Sequence, residues 1–352
     1  MDEARTEALY DRVFSETTCA LGTLVLYIGH RLGLFKVMAQ TGPITAQDLA
    51  NQTNLSERYV REWLLAVASS DYVETDETGT TFTLPEEHRA VLADEDSPYF
   101  LGAYPGVLQG TAIVMDPLID AFKTGGGVPY DHYGEHLRHG IALSNRPMYQ
   151  HSYVQKWIPA MPDVEAKLRV GARVADVGSG TGWSAVCLGK HFKNATIAGI
   201  DSDRASVDEA RKLADEHGVS DRVQFHASTI EEFDADNSYD LVTAFECLHD
   251  MPFPVDVLSQ MRRLAKPDGI VFIGDEAGGE NFSDNHNLLG RLLYNVSVLH
   301  CLPQAMVFPD AAGTGTAISE TMVRNYANEA GYSEVEVVNI EDPFFRFYRL
   351  TP

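Results

Sequence analysis

Three glycines and two carboxylates near the middle of the chain have types and spacings suited to binding a ligand. Gly178, Gly180 and Gly182 follow an apolar run at alternate positions and directly precede a helical pattern. Glycine lets the backbone turn sharply and approach a ligand closely. Asp176 precedes this loop, and Asp201 ends the next apolar run, 19 residues after Gly182. A carboxylate there accepts hydrogen bonds from ribose hydroxyls, so the spacing predicts a nucleoside-containing ligand, as NAD-binding folds also have.

A histidine farther along the chain is a candidate general base. His249 and Asp250 follow the fourth apolar run of this kind, and an imidazole titrates close to neutral pH. Glu246 lies three residues before the histidine, and Asp275 and Glu276 end the apolar run after it. We expect these carboxylates at the same rim, where one of them orients the imidazole.

The elements that must position these residues are short apolar runs that alternate with amphipathic helical patterns after residue 170. This alternation predicts a parallel α/β sheet, in which ligands bind beyond the carboxyl ends of the strands. The predicted strands are Arg173–Val177, Thr196–Ile200, Arg222–His226, Leu241–Phe245, Ile270–Gly274, Val335–Ile340 and Phe344–Leu350.

The first hundred residues have the pattern of a winged helix. Thr45 and Asp48 form a predicted helix cap, a second helix starts near Ser56, and two β-prone runs, Tyr72–Glu74 and Thr81–Leu84, flank a turn. Residues 1–100 contain 17 acidic and 7 basic residues, whereas DNA binding depends on cations that neutralise phosphates. We therefore expect a dimerisation module and no nucleic-acid partner.

Two segments are predicted to close over the site. Residues 85–168 are predicted to be mostly helical, with a glycine-rich break at 124–134 that carries Tyr130 and Tyr133. An insertion at about 280–312 carries His300, and on one helix Tyr294 and Cys301 would share a face. The predicted domains are a winged-helix and dimerisation domain at 1–98, a helical linker and lid at 99–168, and a ligand-binding domain at 169–352.

Composition indicates the compartment of the protein and the classes of partner that it lacks. The net charge of −24 repels nucleic acid and anionic membranes, and four widely spaced cysteines are typical of reduced thiols in a cytoplasmic protein. The longest apolar run, Cys19–Gly29, is too short to span a bilayer, so we expect a buried helix there and no membrane partner. No cluster has metal-ligand spacing, so no metal is expected.

In four features that follow one another along the chain, the sequence resembles the class I methyltransferases that use S-adenosyl-L-methionine (SAM). These features are the stretch VADVGSGTGWSAV, Asp201, the run YDLVTAFECLHD and the run LAKPDGIVFIGDE. With the winged helix, the whole chain resembles two-domain small-molecule O-methyltransferases of bacteria and plants, and winged-helix methyltransferases of actinobacteria and archaea. The resemblance implies an α/β fold with a Rossmann-like seven-stranded methyltransferase sheet. An α-helical winged-helix domain and helical lid segments would precede and cover it.

The resemblance also implies how the cofactor is held, with S-adenosyl-L-homocysteine as the product. The glycine loop would surround the amino-acid half of SAM, and Asp201 would hold the ribose. Ser228 stands where the family usually has an acidic residue beside the adenine. The implied cofactor-binding residues are Asp176, Gly178, Ser179, Gly180, Thr181, Gly182, Asp201, Ser202, Ser228, Thr229 and Glu246.

For the chemistry, the resemblance implies His249 as the base in a His-Asp pair with Asp250, supported by Glu276. The family's tryptophan after this pair is replaced by Met251, and packing against the cofactor is the alternative role for the histidine. The implied substrate residues are Tyr130, Tyr133, Tyr294 and His300, around a small, aromatic or hydrophobic acceptor. O-methylation by a homodimer is favoured; the alternatives are N-, C- or S-methylation, or a transcription regulator that senses SAM.

Overall fold

The computed structural model describes all residues from 1 to 352. Its contacts divide the chain into two units, one of residues 1–112 and 135–147 and the other of residues 113–134 and 148–352. The domain boundaries predicted at residues 98 and 168 stay a prediction.

The first unit is a winged helix with added helices. Thr45 caps α3 as predicted, because its hydroxyl accepts a hydrogen bond from the Asp48 N–H. The small sheet has the order β1-β3-β2, and Leu49, Leu64 and Phe82 are fully buried in the core. Its elements are α1 (Glu3–Arg31), α2 (Leu34–Thr41), β1 (Ile44–Thr45), α3 (Ala46–Thr53), α4 (Glu57–Ala68), β2 (Glu74–Thr75), β3 (Thr81–Thr83), α5 (Glu86–Leu92) and α6 (Pro105–Ile113).

The arginines of α4 are paired along their own helix. Arg58 contacts Glu62, and Arg61 donates to Glu57 at 2.7 Å. Each pair is one helical turn apart and exposed, so the glutamates offset the charge that a phosphate backbone would need. The predicted lack of a nucleic-acid partner is consistent with these pairs and stays a prediction.

The expected burial of the run Cys19–Gly29 is wrong for most of its length. Only Leu26 and Gly29 are buried in it, and the first 21 residues of the chain are exposed. Within one chain, no other element covers the amino-terminal two-thirds of α1, and apolar side chains such as Phe14 face outward. No single helix has the length and apolarity to cross a membrane; α1 and α2 pass that test only as a pair bent by 68°.

The second unit contains a seven-stranded sheet, which confirms the predicted fold class. The strand order is β6-β5-β4-β7-β8-β10-β9; the first five strands are parallel, whereas β10 runs antiparallel to both of its neighbours. The strands are β4 (Arg173–Val177), β5 (Thr196–Asp201), β6 (Val223–Ala227), β7 (Tyr239–Phe245), β8 (Ala265–Glu276), β9 (Glu334–Val337) and β10 (Phe345–Thr351).

Of the helices after α6, the one at residues 134–148 belongs almost entirely to the first unit, and the others belong to the second. The α-helices after α6 are α7 (Met115–Thr124), α8 (Gly134–Met148), α9 (Pro162–Val170), α10 (Trp183–His191), α11 (Arg204–Glu216), α12 (Pro254–Leu264), α13 (Leu288–Val296), α14 (Leu302–Ala305) and α15 (Glu320–Glu329). Short 3₁₀ helices span Tyr130–Tyr133 and Leu248–Asp250, and π-helices span Tyr149–Trp157 and Ser297–Cys301.

The two predicted covering segments, 124–134 and 280–312, pack against each other. The Val128 N–H donates to the Pro303 carbonyl at 2.9 Å, and the Tyr133 hydroxyl donates to the Leu299 carbonyl at 2.9 Å. Gly127 lies so close to the backbone of residues 303–307 that a Cβ there would overlap the Pro303 carbonyl oxygen. The glycine therefore permits a contact between two backbones.

This contact predicts a difference between two neighbouring glycines. Gly127→Ala should lower the free energy of unfolding by about 1–3 kcal/mol, because one backbone must move. Gly126→Ala is the matched control, since its Cβ would meet only the Thr124 hydroxyl at 3.4 Å, and a change within about 0.5 kcal/mol is expected. Denaturant unfolding measures both values, and equal stability of the two variants would contradict the close packing.

Candidate active site

The glycine loop joins β4 to α10, and each glycine has a positive φ angle. The angles are +67° at Gly178, +51° at Gly180 and +87° at Gly182, a region that L side chains rarely adopt. A Cβ at Gly178 would lie 2.8 Å from the Cys247 sulfur, and one at Gly182 would lie 2.5 Å from the Phe225 ring. At Gly180 no atom lies within 4 Å of that position, so this glycine exposes the loop backbone.

Asp176 lies beneath the loop and is 3% exposed. Its two oxygens accept hydrogen bonds from the hydroxyls of Ser184 at 2.5 Å and Thr243 at 2.6 Å, which tie β4 to α10 and β7. Burial raises the pKa of Asp176 to about 6, against the effect of these hydroxyls. The protein's own hydroxyls thus engage both oxygens of this predicted cofactor residue.

Asp201 stands at the carboxyl end of β5, where the sequence predicts it. Its carboxylate accepts hydrogen bonds from the N–H groups of Gly180 and Asp203, both at 2.8 Å. The Ser228 N–H donates to the Asp201 carbonyl at 3.1 Å, which brings the end of β6 alongside. The loop and the ends of both strands therefore form one rim, on which Thr181 is partly buried and Ser202 and Thr229 are exposed.

Two hydroxyls at this rim are buried without a hydrogen-bond partner, those of Ser179 and Ser228. Buried polar groups in folded proteins are nearly always paired, so unpaired ones indicate a polar ligand. Glu246 follows β7 with a φ of +54°, a strained conformation for a non-glycine residue of the kind that concentrates at functional sites. The predicted cofactor residues therefore surround one edge of the sheet.

His249 is 2% exposed and lies between two carboxylates of β8. Its Nδ1 lies 2.6 Å from Asp275 Oδ1 and 2.7 Å from Glu276 Oε2, and its backbone N–H donates to Asp275 Oδ2 at 3.2 Å. Only the contact with Asp275 has hydrogen-bond geometry, because a single N–H points to one acceptor. Asp275 therefore fixes the ring, and Glu276 stands beside it.

These contacts set the ionisation of the group. Burial alone would lower the pKa of His249, but Glu276 and Asp275 outweigh it and raise that pKa well above its usual value. The nearby imidazolium and hydrogen bonds lower the pKa of Asp275 to about 2 against its burial, whereas burial raises the pKa of Glu276 well above its usual range. These shifts favour a protonated His249 beside an ionised Asp275 and a protonated Glu276.

The prediction that the His249 ring pairs with Asp250 is wrong. The Nδ1 partner is Asp275, whereas the Asp250 carboxylate lies beside Gln304. Burial raises the pKa of Asp250 to about 7. Adjacent residues on the 3₁₀ turn Leu248–Asp250 point in different directions, and the carboxylate that reaches the ring comes from the neighbouring strand.

The other ring nitrogen of His249 faces the insertion at 280–312. Its Nε2 lies 3.3 Å from the sulfur of Cys301, and the same sulfur lies 3.5 Å from Nδ1 of His300. The ring of Tyr133 meets the His300 ring edge-on at 5.0 Å, and that of Tyr130 lies 5.8 Å away. Three of the four predicted substrate residues therefore lie together, and Cys301, which no sequence pattern marks as functional, joins them.

Tyr294 is separate from this group. Its hydroxyl accepts a hydrogen bond from Asn285 at 3.3 Å, and its ring packs near Phe282. The expected shared face with Cys301 is wrong, because the chain changes from α-helix to π-helix after Val296 and the wider turn shifts the phase of the later side chains.

Two groups of side chains have the proximity that a metal ion requires. Potential ligand atoms lie within 4.8 Å of one another in the set His249, Asp275 and Glu276, and in the set His249, Asp250 and Cys301. The contact of His249 with Asp275 is also an ordinary hydrogen bond, which needs no ion. The predicted absence of a metal therefore stays a prediction.

Comparison with known proteins gives the class of the chain. Residues 168–331 match the model of a methyltransferase domain, and residues 20–94 match that of an Rv2258c-like winged HTH domain. The chain therefore carries a methyltransferase domain behind a winged helix-turn-helix domain, which confirms the resemblance drawn from the sequence.

The curated relatives described next match less than a third of the chain. A ubiquinone biosynthesis O-methyltransferase of Actinobacillus pleuropneumoniae is 32% identical over 108 residues, which cover 29% of this chain and 44% of the relative. A 27-O-demethylrifamycin SV methyltransferase of Amycolatopsis mediterranei is 35% identical over 109 residues, 31% of this chain and 40% of the relative. The matches thus span less than half the length of these relatives.

The fold extends over the whole chain. The structure of human N-acetylserotonin methyltransferase in complex with SAM is similar with a TM-score of 0.68, at 17% sequence identity, over 97% of each chain. This likeness supports the fold and leaves the substrate open.

Proposed function

We propose that the protein is a SAM-dependent methyltransferase that acts on a small molecule, with methylation of oxygen favoured. The observation that carries the proposal is the buried His249, held by Asp275 at the same edge of the sheet as the glycine loop and Asp201. Its relatives and structural neighbours include methyltransferases named for O-methylation and one solved with SAM, which supports the same chemistry.

The residues present fit SAM. The buried Ser179 and Ser228 hydroxyls without partners and the open side of Gly180 supply polar groups and space at the loop. Asp201 would hold the ribose and the loop would hold the amino-acid half, with Ser228 at the adenine. When bound, SAM supplies an electrophilic methyl group on a sulfonium, and S-adenosyl-L-homocysteine is the product.

His249 is suited to take the proton from the acceptor. A phenol has a pKa of about 10, so reaching the phenolate at pH 7 costs roughly 4 kcal/mol. As the acceptor oxygen is methylated, its proton would pass to Nε2 of His249, which must be without a hydrogen to receive it. Asp275 accepts the Nδ1–H throughout and stabilises the imidazolium that forms, while the covering segments exclude water.

The first prediction concerns His249. Labelled methyl transfer from SAM to a panel of phenols, amines, thiols and carboxylic acids should show methylated phenols, in buffer containing EDTA. His249→Gln should lower kcat/KM by about 10²–10⁴-fold, because the base is lost. His286→Gln, an exposed histidine of the same insertion, is the control and should match the wild type.

The same assay tests the ionisation of the base. Because the carboxylates raise the pKa of His249, the free enzyme holds the proton at neutral pH and loses it only as the pH rises. The kcat/KM of the wild type should therefore increase up to about tenfold per pH unit above pH 7. The kcat/KM of His249→Gln should instead rise up to the acceptor's own pKa of about 10, because only phenolate formed in solution then reacts. Unchanged turnover in that variant would contradict base-assisted O-methylation and favour another acceptor atom.

The second prediction separates ligand contact from backbone strain at the loop. Gly180→Ala should weaken SAM binding at least about tenfold, since a methyl group would enter the open side of the loop. Gly218 also has a positive φ, +65°, with nothing within 4 Å of a Cβ, and it follows α11 away from the loop. Gly218→Ala should lose similar stability, about 1 kcal/mol, yet bind SAM normally by calorimetry. Equal affinities of the two variants would argue against SAM at the loop.

We further propose that the protein is a cytoplasmic homodimer. Leu9, Tyr10, Val13 and Phe14 are more than half exposed on α1, and a second copy of this helix would cover them. The double variant Leu9→Asp and Phe14→Asp should sediment as a folded monomer, whereas the wild type sediments as a dimer. A wild-type monomer at micromolar concentration would contradict the proposed homodimer.

The proposed cytoplasmic location is supported by the cysteines. All four are free, as is typical of proteins in reducing compartments.

A further inference from the structure

Unpaired polar atoms gather beside His249 on the insertion. Nε2 of His300 and Oε1 of Gln304 are buried without a hydrogen-bond partner, and His300 is only 4% exposed. Gln304 lies beside Asp250, and His300 lies beside Cys301, so both border the candidate base. Two unpaired groups at one place indicate that a polar part of a ligand pairs with them.

The hydrogen bonds around Cys301 determine which proton His300 presents. The sulfur bridges Nε2 of His249 at 3.3 Å and Nδ1 of His300 at 3.5 Å. When Nε2 of His249 takes its hydrogen bond from the acceptor hydroxyl, the single thiol hydrogen of Cys301 is free to point to Nδ1 of His300. Burial lowers the pKa of His300 to about 3, so its ring is neutral and its one hydrogen is then on Nε2. The unpaired Nε2 is thus an N–H donor that requires an acceptor oxygen.

The His300 ring is held in place before a ligand binds. Tyr133 is fully buried, meets the imidazole edge-on at an interplanar angle of 90°, and is anchored through its hydroxyl to Leu299. Tyr130 packs on the same ring. A donor in a fixed orientation discriminates between ligands, because it is left unpaired by one that lacks the matching oxygen.

We infer that His300 determines specificity by donating its Nε2–H to a second oxygen of the acceptor, next to the oxygen that is methylated. One sulfur atom lies between Nε2 of His249 and Nδ1 of His300, so the two imidazoles are neighbours, and an acceptor that pairs with both must carry its two oxygens close together. The preferred acceptors are then catechols and aromatic rings with a carbonyl group ortho to the hydroxyl. This inference rests on the proposed methyl transfer.

The test compares positional isomers, which have the same composition. Wild-type enzyme should methylate catechol and 2-hydroxyacetophenone with a kcat/KM about tenfold or more above that for resorcinol and 3-hydroxyacetophenone, mainly through KM. His300→Phe should remove this preference, so that the ratio of the ortho to the meta kcat/KM falls to about one. His300→Asn retains an N–H donor and should keep part of the preference.

The contrary results are equally definite. The inference would be overturned if the wild type showed no ortho preference, or if His300→Phe and His300→Asn lowered kcat/KM equally for both isomers. His300 would then be a packing residue. If no acceptor is methylated, the proposed function fails, and calorimetry with S-adenosyl-L-homocysteine present decides the inference separately. An ortho preference in binding that His300→Phe removes would support it, and equal binding of the isomers would overturn it.

Discussion

An imidazole buried between two carboxylates is the interaction on which the rest of this site depends. Removing charged groups from water is costly, and the cost is recovered only where hydrogen bonds and opposite charges have good geometry. Asp275 meets that condition, because it accepts from both the ring and the backbone N–H of His249 and also from the N–H of Glu276. The neutral state of Glu276 then leaves one positive and one negative charge in the interior.

This arrangement needs strand β8 beside β7 in a fixed register. Phe245 of β7 lies opposite Gly274 of β8, so the turn that carries His249 and the carboxylates at the end of β8 emerge side by side. The same edge carries Asp201 and the glycine loop, because β4 lies next to β5 and β7 in the strand order. The order of the strands alone therefore brings the candidate base and the candidate cofactor-binding rim to the same edge of the sheet.

Local patterns in the sequence predict the elements well and their long-range contacts less well. The seven strands, the cap at Thr45 and the glycine loop depend on residues near one another in the chain, and these predictions agree with the structure. The partner of His249 depends on strand pairing, so adjacency to Asp250 was a poor guide. The position of Tyr294 depends on a change from α- to π-helix, for which its sequence gives no periodic signal. The exposure of α1 depends on the absence of a covering element elsewhere in the chain, and the apolar pattern of the helix itself does not contain that information.

The contact of Gly127 with the backbone of residues 303–307 limits how the range of methyl acceptors can change during evolution. The segment 124–134 and the insertion that carries His300 share a backbone contact with no side chain between them, so a change in the backbone of one segment must be accommodated by the other. A larger acceptor would require both segments to change together, which makes drift by single substitutions slow. Laboratory evolution of a new acceptor range would then start more productively from exchange of the two segments as a pair.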